Sequence, residues 1–252
     1  MTVGLVTAAQ GGIGRAVVER LLAEKIVSRV IGVDVVEPSA PSPEGAEFVC
    51  CDLRSEEGLQ ELADAVPPEL SVLVNVLGGE RQPPLSKIED VAWPPPEVWE
   101  DIVDLNLSGV YRLTRLLVPR LLSGSVICTV SSIAATMPWT VSPAYGAAKA
   151  ALEHWSLSLA VLLAEDGIRV NLVRPGFVWS RQWQLVDRDE FESLARDRVP
   201  LRQVSGPARA SREQSGTDVA DAIAYLCSSS ARHVTGQAIN VDGGAALVRA
   251  AR

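Results

Sequence analysis

Seven short apolar runs rich in β-branched residues, separated by longer stretches with a helical period, restrict this chain to one kind of architecture. Thr2–Thr7, Arg29–Asp34, Glu47–Cys51, Ser71–Val76, Ser125–Val130, Arg169–Val173 and Gln237–Val241 read as strands. Between them, Gly12–Glu24, Ser55–Ala65, Val98–Leu122, Ala144–Glu165 and Thr217–Ser228 carry helical spacing. Strands that are apolar along nearly their whole length leave no face for water, and the intervening helices must cover both sides. The pattern predicts an α/β fold with a doubly wound parallel sheet of about seven strands. No linker rich in Pro, Gly and Ser divides the 252 residues, and that length suits one large α/β unit, so 1–252 is read as a single domain.

The first strand ends in Thr7-Ala8-Ala9-Gln10-Gly11-Gly12-Ile13-Gly14, and a helix follows. Glycines here let the backbone approach a diphosphate, and the helix N-terminus offers unpaired N–H groups, which makes the sheet Rossmann-type. Asp34 ends the second strand twenty positions after Gly14. A carboxylate there would accept hydrogen bonds from an adenosine ribose and repel a 2′-phosphate, favouring NAD(H) over NADP(H); it also fits a plain strand-end turn. Asp52 and Leu53 end the third strand at the edge where adenine would lie, and Asp52 equally suits a turn cap. Asn75-Val76-Leu77-Gly78-Gly79 closes the fourth strand in a glycine pair at the same edge.

Tyr145 and Lys149, four residues apart in Pro143–Ala151, fall on one helical face. A phenol titrates near pH ~10, and a neighbouring ammonium favours its phenolate, so the pair can move a proton near neutrality. Ser132 stands thirteen positions earlier at the end of a strand, with Ser131 aimed at the opposite face. Taken alone, the pair also fits a packed ring beside a solvated charge.

These motifs together resemble the short-chain dehydrogenase/reductase family. The glycine turn is similar to its TGxxxGxG, with Ala8 at the first glycine, where alanine is the least costly substitute if its φ stays negative. Asn75–Gly78 resembles its NNAG, and Ser132, Tyr145 and Lys149 resemble its serine and YxxxK. Asn106 matches the family's helix asparagine, and Pro175-Gly176 followed by Ser180 resembles its PG motif. Thr235-Gly236 and Val241-Asp242-Gly243-Gly244 match its C-terminal ending. The resemblance implies hydride transfer between a nicotinamide and a carbinol or carbonyl carbon. It implies Tyr145 as the proton-exchanging group, Lys149 on the nicotinamide ribose, Ser132 on the substrate oxygen and Asn106 anchoring a water. It further implies coenzyme contacts from Thr7, Gln10, Gly12, Ile13, Gly14, Asn75 and Gly78, and from Pro175, Gly176, the backbone near Val178, and Ser180.

Composition narrows the partners. A net charge of −8 and a pI near 4.9 disfavour nucleic acid and anionic membranes. Cys50, Cys51, Cys128 and Cys227 lack metal-ligand spacing, so no metal is expected, and they read as thiols in a reducing compartment. With a strand-like start and no long uncharged apolar run, a cytoplasmic location is expected. His154 and His233 read as structural or surface residues.

Substrate identity lies in two irregular stretches, the Pro-rich 80–97 segment and a substrate lid over 177–216, the latter closed by Ser205-Gly206-Pro207-Ala208. Trp93, Trp139, Trp179 and Trp183 are expected to wall the pocket, pointing to a bulky or ring-containing alcohol or ketone; packing within the lid or between subunits is the alternative. The resemblance implies a homotetramer, or a dimer. Competing readings are an NADPH-dependent 3-oxoacyl or polyketide-type ketoreductase, a non-catalytic dinucleotide-binding scaffold, and a Rossmann methyltransferase.

Overall fold

A computed structural model describes residues 2–80, 93–138, 141–180, 183, 186–202 and 213–248. Seven strands form one parallel sheet: β1 Val3–Thr7, β2 Arg29–Asp34, β3 Ala46–Cys50, β4 Leu70–Asn75, β5 Leu121–Val130, β6 Arg169–Pro175 and β7 Ala238–Val241. Their order is β3-β2-β1-β4-β5-β6-β7, with every pairing parallel. The order reverses between β1 and β4, and the crevice outside the carboxyl ends of these strands is where such sheets take ligands.

The helices are α1 Gly12–Ala23, α2 Glu56–Ala65, α3 Pro96–Val103, α4 Gly109–Leu117, α5 Pro143–Leu162, α6 Arg188–Arg198 and α7 Gly216–Cys227. Several start where polar caps satisfy the first free amides. Ser55 accepts from Gly58 N, Ser142 from Tyr145 N, and Ser215 forms a capping box with Asp218. One face of the sheet packs Val6, Val30 and Val74 against Val17, Val18 and Leu21 of α1 and Val219, Ala220 and Ile223 of α7. The other packs Leu5, Ile31 and Leu73 against Leu62 of α2, Leu113 and Leu117 of α4, and Ala160 of α5. Burying such side chains contributes roughly 1.5–3 kcal/mol each, which makes the two apolar layers the main source of stability. Helix α7 begins directly on the first turn: a Cβ on Gly216 would lie 2.1 Å from the Gly12 carbonyl oxygen.

Two expectations about elements are corrected. The continuous helix over 98–122 is broken by a π turn at Asp104–Ser108 and ends in a 3-10 turn containing Pro119, so Leu121–Gly124 extends β5. Within the lid region, Arg188–Arg198 is helical, with Asp187 accepting from Asp189 N at its start. The Ser205–Ala208 run and most of the Pro-rich segment lie outside the described residues.

Candidate active site

The first turn is built by backbone. Gly11 N donates to Ala8 O at 2.9 Å and Ala9 N to Val33 O at 3.1 Å, turning the chain sharply into α1. A Cβ on Gly14 would stand 2.2 Å from Ala8 O, so only glycine allows this approach. Ala8 has φ +50°, contrary to the negative value expected for an alanine; the reversal between β1 and α1 imposes the left-handed conformation on whichever residue stands there. The Asp34 carboxylate is held by Gln10 N at 2.9 Å and Val36 N at 3.3 Å, so Gln10 takes part through its backbone.

These groups face a cavity of about 330 Å³ lined at one end by Gly12, Ile13, Gly14 and Asp34. Gly78, Ser132, Tyr145 and Lys149 line its middle, and Pro175, Gly176, Val178 and Ser180 its far side. The residues present fit a dinucleotide: a glycine cradle at a helix N-terminus, a fixed carboxylate for a ribose, and polar side chains beyond.

Five expected coenzyme residues do not line this cavity: Gln10, whose backbone holds Asp34, and four whose side chains serve elsewhere. Thr7 is fully buried, and its Oγ1 accepts from Val76 N and Leu77 N, both at 2.8 Å, tying β1 to the end of β4. Asn75 is buried and donates to Thr114 Oγ1 at 3.2 Å. Asp52 caps the turn into α2 by accepting from Arg54 N at 3.0 Å, and Leu53 packs in the core. In each case the side chain closes local structure, a use that residue type alone does not separate from ligand contact.

Tyr145 and Lys149 project from one face of α5, and Ser132 lines the cavity with them. Ser132 also accepts from Ala134 N at 3.1 Å, which fixes its rotamer. Lys149 Nζ donates to Val130 O at 3.1 Å and lies 5.7 Å from the Tyr145 ring centroid. Ser131 donates to Glu153 at 2.6 Å, away from Tyr145. Asn106 sits in the π turn, fully buried; its amide accepts from Gly79 N and donates to Gly79 O and Ile102 O, each at 2.9 Å. The side chain therefore clamps the glycine pair. Gly78, at φ +145°, fills the gap: a Cβ there would be 2.7 Å from both Asn106 Oδ1 and Lys149 Nζ.

Burial pushes the Tyr145 phenol well above its ordinary range, opposed by the Ser132 hydrogen bond and reinforced by the Glu80 charge. Burial lowers Lys149 to about 8, partly offset by Glu153. The expected lowering of the phenol by the lysine is not the effect that opposes burial here; Ser132 supplies it.

Glu80 was not singled out by its pattern. It lines the cavity and accepts from Ser142 Oγ at 2.7 Å and Ser142 N at 3.2 Å, bracing the start of α5. Its sequence signal is a carboxylate directly after the glycine pair. Glu153 and Arg174 were missed likewise, although Glu153 continues the four-residue spacing of Tyr145 and Lys149.

The tryptophan expectation is corrected. Trp93 is 80% exposed and does not line the cavity. Trp179 and Trp183 meet Phe191 edge-on, each with centroids 5.0 Å apart, and Trp183 stacks on Phe177 at 6.0 Å. The Arg188 guanidinium covers Trp179 at 4.7 Å. Phe177, Trp179, Trp183 and Phe191 thus form an aromatic core of their own, and large rings gain more there than in an open cleft. Trp139 lies outside the described residues.

A family profile described as enoyl-(acyl carrier protein) reductase matches residues 7–246. The chain is 32% identical to the 3-oxoacyl-acyl-carrier-protein reductase FabG of Escherichia coli strain K12, over 98% of both chains. It is 30% identical to 2,3-dihydro-2,3-dihydroxybenzoate dehydrogenase of Bacillus subtilis strain 168, over 97% of this chain and 96% of that one. Among solved structures, a 3-ketoacyl-(acyl-carrier-protein) reductase from Brucella melitensis complexed with NADH superposes with a TM-score of 0.78 at 27% identity, covering 97% of this chain and 98% of that one. With the parallel sheet, the glycine turn and the Ser132–Tyr145–Lys149 cluster in place, the match along nearly the whole chain leads to one assignment: this protein belongs to the short-chain dehydrogenase/reductase family and is an oxidoreductase.

Proposed function

We propose that this enzyme interconverts a secondary alcohol and its ketone, and that it prefers NAD(H) to NADP(H). The supporting observation is the convergence of Asp34, Ser132, Tyr145 and Lys149 on one cavity. The nicotinamide, when bound, gives or takes the hydride. Tyr145 exchanges a proton with the substrate oxygen, as phenol in reduction and as phenolate in oxidation. Ser132, with its rotamer fixed, donates to that oxygen. Lys149 bonds the nicotinamide ribose and passes the proton between Tyr145 and solvent. Asn106 keeps Gly78 and Gly79 pressed toward Lys149.

Gly12, Ile13 and Gly14 would receive the diphosphate on the N-terminus of α1, and Asp34 the adenosine ribose. Gly78, Pro175, Gly176, Val178 and Ser180 would contact the nicotinamide half. Preference for NAD(H) rests on the buried Asp34 carboxylate, which a 2′-phosphate would have to approach. A bulky apolar or ring-containing substrate is favoured by Leu77, Leu105 and Val178, apolar residues that line the cavity with Ser132 and Tyr145.

A second reading, an NADPH-dependent 3-oxoacyl reductase, is favoured by the similarity to reductases of that name. Asp34 speaks against its coenzyme. We also favour a homotetramer, or a dimer, assembled through the outer faces of α4 and α5, where Tyr111, Leu157, Val161 and Leu162 are exposed. The four free thiols suit the cytoplasm. Among the described residues no helix is long and apolar enough to cross a membrane.

Titration of the protein with NADH and NADPH, followed by nucleotide fluorescence, tests the coenzyme. Asp34→Ala should weaken NADH by roughly 10–100-fold, as expected for a charged hydrogen-bond acceptor. Tighter binding of NADPH to the unaltered protein refutes the preference. Turnover of cyclic and long-chain secondary alcohols tests the reaction; Tyr145→Phe should retain NADH binding and lose at least ~100-fold in kcat. Full activity in that variant would sink the role given to the phenol.

A further inference from the structure

We propose that Glu153 is a positioning residue for Lys149: clamped by Arg174 and Ser131 one helical turn beyond the lysine, it holds a fixed negative charge that keeps the ammonium protonated. Tyr145, Lys149 and Glu153 are spaced by four and share one face of α5. Three consecutive residues at the end of β5 meet that face. Ser132 lines the cavity with Tyr145, the Val130 carbonyl accepts from Lys149 Nζ at 3.1 Å, and Ser131 donates to Glu153 Oε1 at 2.6 Å.

Arg174 completes the clamp from β6. Its Nε donates to Glu153 Oε1 at 2.7 Å and its Nη2 to Oε2 at 2.6 Å, a two-pronged fit to a carboxylate whose side chain is 9% exposed. A carboxylate so held cannot swing away, and its charge stays in one place. Lys149 is itself buried, so an anion fixed nearby acts on it through little water. Around the ammonium, Tyr145 and Glu153 face it from α5, Asn106 and Gly78 from across the cavity, and the Val130 carbonyl from β5. Glu80 acts on the Tyr145 side, and Arg174 stands behind Glu153. Glu153 is the anion that offsets the lowering of Lys149 by burial. An ion pair whose charge did not reach the ammonium would leave the lysine's acidity unchanged when that charge is removed.

The significance of this clamp rests on the dehydrogenase reading, but its test does not. The chain has only three lysines, Lys25, Lys87 and Lys149. Protein labelled with 13C at lysine Cε therefore shows three titrating signals, assigned with Lys25→Arg and Lys87→Arg. Lys149 should titrate near 8. Glu153→Gln should move it down by roughly one pH unit or more. Glu153→Gln with Arg174→Gln should fall between the two, because the guanidinium's repulsion is removed as well. Glu153→Asp, which keeps the charge, should return the titration toward the wild-type value. An unmoved Lys149 signal in Glu153→Gln overturns the proposal. If that variant fails to fold, the double variant decides, since it leaves no lone buried charge: a titration coincident with wild type overturns the proposal, and a lower one supports it. Failure of the unaltered protein to bind NADH would refute the dehydrogenase reading and leave this result standing.

Discussion

Replacing Ala8 by glycine should make this protein more stable, although the change removes a methyl group. Ala8 stands at φ +50°, where a β-carbon crowds the following carbonyl at a cost of roughly 1–2 kcal/mol. Glycine relieves that strain but gives the unfolded chain more freedom, which returns about 0.4–1 kcal/mol. The balance favours Ala8→Gly by roughly 0.5–1 kcal/mol. For a chain of this length that corresponds to a rise in Tm of about 1–4 °C. Ala9→Gly is the matched control: Ala9 is fully buried in the core at an ordinary φ, so the same substitution should lower Tm through lost packing and added chain entropy. Thermal unfolding followed by circular dichroism, scanned at one rate for all three proteins, reads the difference. A lower Tm for Ala8→Gly than for the unaltered chain would refute the strain assigned to this turn.

Gly14→Ala should destabilise the fold by about 1–3 kcal/mol or more and abolish NADH binding, because the new methyl would meet Ala8 O at 2.2 Å; denaturant midpoints and nucleotide fluorescence check this. Glu80→Gln removes an anion that raises the Tyr145 phenol, so the rising limb of kcat/KM for alcohol oxidation should move toward lower pH, and movement to higher pH would contradict it. With Lys149 lowered to about 8 against an ordinary 10.5, the folded protein binds fewer protons than the unfolded chain between those values. Stability from this group therefore rises with pH across that window, and Lys149→Met, which removes the penalty at every pH, should show its stability advantage over the unaltered protein shrinking from pH 8 to 10.5 in urea titrations.

The sheet was legible because its strands are apolar on both faces and its helices are not, a difference written into every element. The boundaries that escaped have local causes. The π turn around Asn106 leaves no mark on hydrophobic spacing, and Pro119 ends a helix within a run that still carries apolar periodicity. At the site, Tyr145, Lys149, Ser132 and Asp34 could be read because their spacing forces them to one edge. Thr7, Asn75 and Asp52 stand equally close to that edge in sequence, yet their side chains close turns and strand ends, and only coordinates separate the two uses. The tryptophans failed for another reason: an aromatic ring packs wherever apolar area is largest, and Phe191 on an unforeseen helix offered more than the cleft. Glu80 and Arg174 are hard to pick out because their partners, Ser142 and Glu153, stand 62 and 21 positions away.

The seating of Gly216 on Gly12 has a consequence for how the protein comes into being. The segment shaped to receive a diphosphate is synthesised about 200 residues before the helix that backs it. Until then the residues Val17, Val18 and Leu21 lack the apolar neighbours Val219, Ala220 and Ile223. A chain that ends before residue 216 therefore has the glycine turn without the helix that packs on it.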